Sequence, residues 1–384
     1  MSATSNLLIF GASARAAAFS ALRAGLRPWC ADLFADADLV AQCPAMRIPS
    51  RRYPQNFLEL VARELPGPWM YTGALENWRN TVHVMAQHRP LWGNGLRALL
   101  RVRSPWKVAR LLKEAGVPCP AVRSLAPRPP GGRWLVKPIL GAGGAGIRPW
   151  SGGRPEQRAS VAQKYLQEHV EGEPCAAVWV GDGAGARLLG ATRQLVGEDW
   201  LHAGPFRYCG SIGPLHTNDA CLQRFLRLGN VLTAGCGLRG LFGVDCILRD
   251  DVPYPVEINP RYTASVEVLE YARGVPALGL HRAVFDPDAP APRPLPSSNA
   301  IVGKAILFAR APLVFPADGP WSATLRSPRP VEEMPDFADV PHAGERVEAR
   351  RPVLTFFARA DSAKGCEVRL REVAAELDRW LFGR

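Results

Sequence analysis

The sequence predicts an α/β protein of several lobes, and three observations carry that expectation. At 384 residues the chain exceeds one ordinary hydrophobic core. Short apolar runs alternate with helical patterns over roughly the first hundred residues. Longer strand-like runs then fall at 175–180, 186–196, 240–249 and 254–258.

Residues 7–10 read as a short strand that runs into Gly11-Ala12-Ser13-Ala14-Arg15 and an alanine-rich helix ending near Gly25. A second strand at 29–31 closes on Asp32, and a later one at 69–72 precedes Gly73, Glu76 and Asn77. These units make one open α/β sheet. The spacing of Gly11 and Asp32 imitates a dinucleotide fingerprint, but Ser13 and Arg15 stand where close glycines are needed, so NAD binding is not expected.

From Ser104 the pattern is helical, with Trp106, Ala109, Leu111 and Leu112 as its apolar face, until Gly116 and Pro118 stop it. A Pro/Gly-rich link (Pro127, Pro129, Pro130, Gly131, Gly132) precedes a strand at 134–136. Lys137 follows at once, and then Gly141, Gly143, Gly144 and Gly146, which make a mobile hairpin-like loop. Residues 286–298 read as a proline-rich linker, 300–309 and 353–360 as strands, and 367–381 as a closing amphipathic helix.

The net charge is +12, yet only six residues are lysine and the arginines are scattered. That distribution is read as the imprint of a GC-rich genome, and no nucleic-acid surface is expected. None of the nine cysteines forms a C-x-x-C pair, so a structural zinc site is not expected, and unpaired thiols suit a reducing compartment. No signal sequence or run of membrane-spanning length is read. A cytoplasmic protein with no membrane partner is the expectation.

Two constellations carry chemistry. Lys137 at a strand end, directly before a glycine-rich loop, lets an ammonium and backbone N–H groups converge on a polyphosphate. It is not a Walker A motif, because the lysine precedes the glycines. In Gly243-Val244-Asp245 and Pro255-Val256-Glu257-Ile258-Asn259-Pro260-Arg261, Glu257 and Asn259 point to the same face of an extended strand. Asp245 joins them if the two strands form an antiparallel hairpin, giving hard oxygen ligands suited to Mg²⁺. The alternative is that Asp250 and Asp251 form the turn and the other acids are surface caps.

In this order, over residues 100–275, the motifs resemble the ATP-grasp superfamily. The resemblance implies an ATP-grasp fold: a Rossmann-like domain at 1–102, a small α+β lid at 103–170, a central antiparallel-sheet subdomain at 171–290 and a C-terminal α+β extension at 291–384. It implies ATP and Mg²⁺ (or Mn²⁺) as cofactors. Lys107, followed by Gly116-Val117-Pro118, is similar to the first nucleotide lysine, and Lys137 to the second. Gly141, Gly143, Gly144 and Gly146 look like the loop over the phosphates. Gln167, Glu168, His169, Val170, Glu171 and Gly172 look like the adenine-binding segment, with Glu171 or Glu173 holding the ribose. Asp245, Glu257 and Asn259 match the metal ligands. Arg261, with Lys137, matches the basic groups at the reacting phosphoryl or acyl centre.

The activity so implied is that of a ligase that activates a carboxylate as an acyl phosphate and couples it to an amine, releasing ADP and phosphate. Its partners are then small-molecule carboxylate and amine substrates. Candidate substrate contacts are Glu76, Asn77, Arg193, Gln194 and the loop Tyr208-Cys209-Gly210-Ser211. The stretches 191–196, 208–213 and 352–358 further resemble a carboligase-like branch found with methanopterin- and furan-type coenzymes, which implies amino-acid or glutamate addition to a coenzyme precursor. Two alternatives are a biotin-carboxylase-like use of bicarbonate and a non-catalytic nucleotide binder. Many members of the superfamily dimerise, so a homodimer is compatible with the chain.

Overall fold

The computed structural model describes all residues except 1–5, 64–65, 127–128, 130, 153–163, 298–299 and 384. Parts of the two expected linkers, Pro127, Pro130 and Ser298, therefore lie outside the described residues.

The chain opens with strands β1 (Asn6–Phe10), β2 (Arg27–Asp32), β3 (Ala45–Arg47) and β4 (Trp69–Tyr71). They form a parallel sheet in the order β3-β2-β1-β4. Strand β1 shows why: Leu7 and Ile9 enter one hydrophobic cluster and Leu8 and Phe10 another, so both faces are covered. Each of these four side chains is fully buried, worth about 1.5–3 kcal/mol apiece. Helices α1 (Arg15–Arg23), α2 (Ala37–Gln42), α3 (Asn56–Arg63) and α4 (Arg79–His88) accompany the sheet. Asp32 accepts backbone N–H bonds from Ala14 (2.7 Å), Phe34 (2.9 Å) and Ala35 (2.6 Å), so the acid with fingerprint spacing ties down two turns of its own lobe.

Helices α5 (Leu96–Val102) and α6 (Pro105–Glu114) lead to a small antiparallel sheet of β5 (Val122–Arg123), β6 (Trp134–Pro138), β7 (Arg148–Pro149) and β8 (Lys164–Glu168), ordered β5-β8-β6-β7. In α6 Leu112 is buried, but Trp106, read as part of the apolar face, is 43% exposed, with its ring near that of Tyr165. It sits in the first turn of the helix.

The large sheet has eight strands, ordered β13-β12-β9-β10-β11-β14-β18-β16. Its members are β9 (Glu173–Asp182), β10 (Ala186–Val196), β11 (Tyr208–Gly213), β12 (Arg239–Arg249), β13 (Val252–Asn259), β14 (Ile301–Phe308), β16 (Phe337–Ala338) and β18 (Pro352–Ala360), paired antiparallel throughout. A two-stranded ribbon of β15 (Leu313–Val314) and β17 (Arg346–Val347) stands apart. Because β11 pairs with β14, residues 171–290 and 291–384 share one continuous sheet. The segment 208–211, expected as a loop, is strand: Gly210 passes close to Lys304, where an added Cβ would fall 2.4 Å from its carbonyl oxygen.

Helix α7 (Asp219–Cys236) lays Cys221, Phe225, Leu228 and Leu232 on the sheet, capped by the Asn218 side chain at its start and by left-handed Gly237 at its end. Helices α8 (Ala264–Arg273), α9 (Ala277–Ala283), α10 (Ser322–Arg326) and α11 (Ala363–Phe382) complete the chain. Eight of the nine cysteines are buried, as small core residues. Among the described residues no helix is long and apolar enough to cross a membrane.

His281 of α9 joins the lobes. Its Nδ1 accepts from the Leu241 amide at 2.8 Å and its Nε2 lies 3.2 Å from the Trp92 carbonyl, which accepts; the ring is therefore neutral. Burial lowers its pKa from 6.5 to about 4 despite the Trp92 carbonyl. The unfolded chain thus takes up the proton first, so this contribution is complete above pH 6.5 and is lost as pH falls toward 4, about 3 kcal/mol in all. Urea midpoints of wild type should drop between pH 7.5 and 5.0, and His281→Asn should show the shallower drop. Parallel profiles would refute the assignment.

Candidate functional site

Strands β12 and β13 meet at Asp250 and Asp251, whose φ values of 50° and 60° give the tight turn a two-residue hairpin requires. The register sets Asp245 opposite Glu257 and Gly243 opposite Asn259, with a bulge after Asp245. The turn acids and the ligand candidates are thus both present, on separate parts of one hairpin. Asp245 accepts from Gln194 Nε2 at 2.9 Å and Asn259 Nδ2 at 3.1 Å. Asn259 Oδ1 in turn accepts from Arg261 Nη2 at 3.0 Å. Burial first, and then the charge of Glu257, hold the Asp245 carboxyl above its ordinary range, against Arg261, Gln194 and Asn259.

Lys137, next to last in β6, is buried, its Nζ donating to the Val256 carbonyl at 2.9 Å and to Gln167 Oε1 at 3.0 Å. Burial lowers its pKa, opposed by Glu257 and Asp245. The ammonium is thereby fixed on the strand that carries Glu257.

Between the small and large sheets lies a cleft of about 690 Å³. Lys137, Gly143, Gly144, Glu168, His169, Val170, Glu171, Tyr208, Asp245, Glu257, Asn259 and Arg261 all line it, as does Gln194. Gly144, at φ +78°, rests against the segment at Phe206; a Cβ there would fall 1.7 Å from the Phe206 carbonyl oxygen, so only glycine permits this approach. The loop roofs the cleft. The Nδ1 of His169 is buried with no hydrogen-bond partner among the described residues.

The other candidates lie elsewhere. Lys107 is exposed on α6 and lines neither the cleft nor the smaller cavity of about 70 Å³ beside Lys137. Gly141 lines that small cavity, and Gly146 lines neither. Of the two ribose candidates Glu171 lines the cleft, where it also pairs with Arg133, whereas Glu173 lines a separate depression with Arg193.

Arg193 is the clearest displacement. It neighbours Gln194 in β10, and alternation along a strand sends the two to opposite faces, so Gln194 reaches the cleft while Arg193 pairs with Glu367 of α11. Glu76 is 1% exposed and accepts from Arg261 Nε at 3.1 Å, which places it behind Arg261 and out of the cleft. Asn77 donates from Nδ2 to the Gly141 carbonyl at 3.2 Å, at the base of the glycine loop. Sequence reasoning missed Arg103, which pairs with Glu257 at 3.3 Å and which no local pattern marks. Gln167, read as part of the adenine segment, anchors Lys137.

Residues 102–265 match the ATP-grasp domain family. That segment of the chain is an ATP-grasp domain. Over 187 residues the chain is 21% identical to the uncharacterized protein MJ0776 of Methanocaldococcus jannaschii, covering 46% of this chain and 45% of that one. Over 117 residues it is 27% identical to the carbamoyl phosphate synthase large chain of Methanosphaerula palustris, covering 30% of this chain and 10% of the other. The chain thus spans under half the length of these curated relatives. Among solved structures it is similar to an L-amino acid ligase from Bacillus licheniformis, at 17% identity and TM-score 0.70, covering 98% of both chains. It is also similar to a biotin carboxylase from Campylobacter jejuni, at 14% identity and TM-score 0.68, covering 97% of this chain and 91% of that one. These structural likenesses establish the fold: the ATP-grasp architecture extends over nearly the whole chain.

Proposed function

We propose that this chain is an ADP-forming ligase that activates a carboxylate as an acyl phosphate and transfers the acyl group to an amine. The carrying observation is the convergence of Lys137, Arg261 and the oxygen set Asp245, Glu257 and Asn259 in one cleft beneath a glycine loop. MgATP fits those residues on the structure's own terms. Two carboxylates face each other across the hairpin and raise the charge cost at Asp245, which a divalent cation offsets. The unpartnered His169 Nδ1 gives the wall a spare hydrogen-bonding group. The glycine loop offers backbone N–H groups and no side chains.

When bound, MgATP supplies the γ-phosphoryl group and a divalent charge on the phosphates. Asp245, Glu257 and Asn259 would hold the cation, with Lys137 facing the phosphates. Residues 168–170 would hold the base and Glu171 the ribose hydroxyls. Arg261, steadied by Glu76, orients the substrate carboxylate, and the roofing loop keeps water from the activated acyl group. The fold neighbour named as an L-amino acid ligase supports C–N bond formation. The biotin carboxylase neighbour makes bicarbonate the second reading.

Phosphate release from MgATP, measured across pools of carboxylates, amines and bicarbonate, tests the proposal. The pools should include glutamate with carboxylated coenzyme precursors. Turnover is expected only with a carboxylate and an amine together. Turnover with bicarbonate alone supports the second reading, and binding of nucleotide with no stimulation by any pool refutes both.

A further inference from the structure

Arg103, one residue past α5, takes no part in the roles assigned above, yet its contacts converge on them. Its side chain is 5% exposed. Nη1 donates to Glu257 Oε1 at 3.3 Å. Nη2 donates to Asn77 Oδ1 at 2.6 Å, to the Gly141 carbonyl at 3.1 Å and to the Ile139 carbonyl at 3.3 Å. Asn77 closes the arrangement by donating to the same Gly141 carbonyl. Nε is buried and has no hydrogen-bond partner among the described residues, where the two terminal nitrogens hold the guanidinium.

One planar fork thereby ties together three separate pieces of chain. They are an acid of the proposed cation set, the two carbonyls where the glycine loop leaves β6, and the turn after β4. The charge alone does not explain this. A lysine ammonium would offer similar charge to Glu257 but lacks the rigid fork that reaches the acid from one nitrogen and the loop base from another. With Oε1 engaged by Arg103, no described hydrogen bond occupies Glu257 Oε2, which leaves that oxygen for a cation.

We propose that Arg103 is a positioning residue that couples cation binding at Glu257 to ordering of the glycine loop. The inference rests on the MgATP reading of the cleft. A cation that fixes Glu257 fixes Arg103, and through it the Ile139 and Gly141 carbonyls at the base of the loop; conversely, a loop seated at its base presets Glu257.

The test uses the full chain, a non-hydrolysable ATP analogue and two readouts that need no turnover. One is the Mg²⁺ dependence of analogue binding, and the other is amide hydrogen exchange over residues 139–147 with and without analogue. In wild type, Mg²⁺ should tighten binding and the analogue should protect the loop. In Arg103→Lys the Mg²⁺ half-saturation point should rise about tenfold or more, the effect of losing a residue that orients a metal ligand, and loop protection should be lost. Asn77→Ala, which leaves the Arg103–Glu257 pair in place, should lose part of the loop protection while keeping the wild-type Mg²⁺ half-saturation.

Arg103→Lys matching wild type in both readouts would overturn the coupling, since charge alone would then suffice. Asn77→Ala shifting the Mg²⁺ dependence as far as Arg103→Lys would also overturn it, as the signature of general loosening. If wild type shows no Mg²⁺-dependent binding, the MgATP reading itself fails and the inference with it. Only that outcome affects wild type, so the two failures are distinguishable.

Discussion

Replacing Glu257 by Gln should reduce MgATP-dependent turnover by roughly 10²–10³-fold while changing the stability of the chain little. The two effects separate because they have different origins. Turnover falls because the variant keeps the shape of the side chain but removes one of two charges that would hold the cation. Stability changes little, because the lost charge repels Asp245 but attracts Arg103, Lys137 and Arg261, and these effects oppose one another. Asp245 is held above its ordinary range by burial and then by Glu257. A carboxyl so raised takes up a proton more readily folded than unfolded, so in the metal-free chain its contribution worsens as pH rises from 3.8 toward 6. Glu257→Gln removes part of that penalty. Arg103 loses one partner but keeps Asn77, Ile139 and Gly141. Turnover and thermal midpoint measured on the same preparation check both halves. Wild-type turnover in the variant would exclude Glu257 from the cation set.

What was legible before the structure was the chemistry carried by local spacing. Glu257 and Asn259 share a strand face by simple alternation, and the hairpin that brings Asp245 opposite Glu257 follows from a tight turn between two apolar runs. The same alternation, applied to Arg193 and Gln194, separates the residue that reaches the cleft from the one that does not, although both are expected as substrate contacts. Helix α7 is not among the expected elements, although its caps and its Cys221, Phe225, Leu228, Leu232 spacing are in the sequence. Gly229 breaks the run, and its reason is tertiary: an added Cβ would fall 2.3 Å from the Trp179 indole nitrogen. Strand β11 was hidden in the same way by Gly210. Arg103 lies 26 residues from Asn77 and 154 from Glu257, so only the folded chain brings its partners together. Lys107 shows the converse: a motif position can be plain in sequence while the side chain points to solvent.

Arg15→Met should destabilise the chain by about 3–5 kcal/mol at pH 8, the cost of breaking a buried ion pair and leaving its partners uncompensated. Arg15 is fully buried and holds Glu267 through both terminal nitrogens, with Nη2 at 3.1 Å from Oε2. It also holds Asp339 through Nε at 3.0 Å and Nη2 at 3.1 Å, and Asp38 lies 3.7 Å away. Without it, Lys304, 2.7 Å from Glu267, is left to offset these carboxylates. Methionine fills much of the same volume, so the loss is electrostatic and not a cavity. The pH dependence gives the assignment a sign. Burial pushes the Glu267 carboxyl up, but Arg15 and Lys304 outweigh it and hold the group at about 2. A carboxyl so depressed stabilises the fold above its ordinary 4.5 and loses that contribution as pH falls toward 2. Removing Arg15 forfeits the Arg15-dependent part of this stabilisation, so the gap between wild type and variant should narrow on acidification, and denaturation at pH 8 and pH 4 should show it. A deficit below about 1 kcal/mol at pH 8, or one that widens in acid, would contradict the argument. The consequence reaches the cleft as well. Glu267 sits in the first turn of α8, beside Ser265 in the cleft wall, while Arg15 opens α1 of the parallel-sheet lobe. This buried network therefore locks that lobe onto the helix that walls the site, and the variant should lose turnover in proportion to the fraction of chains that unfold.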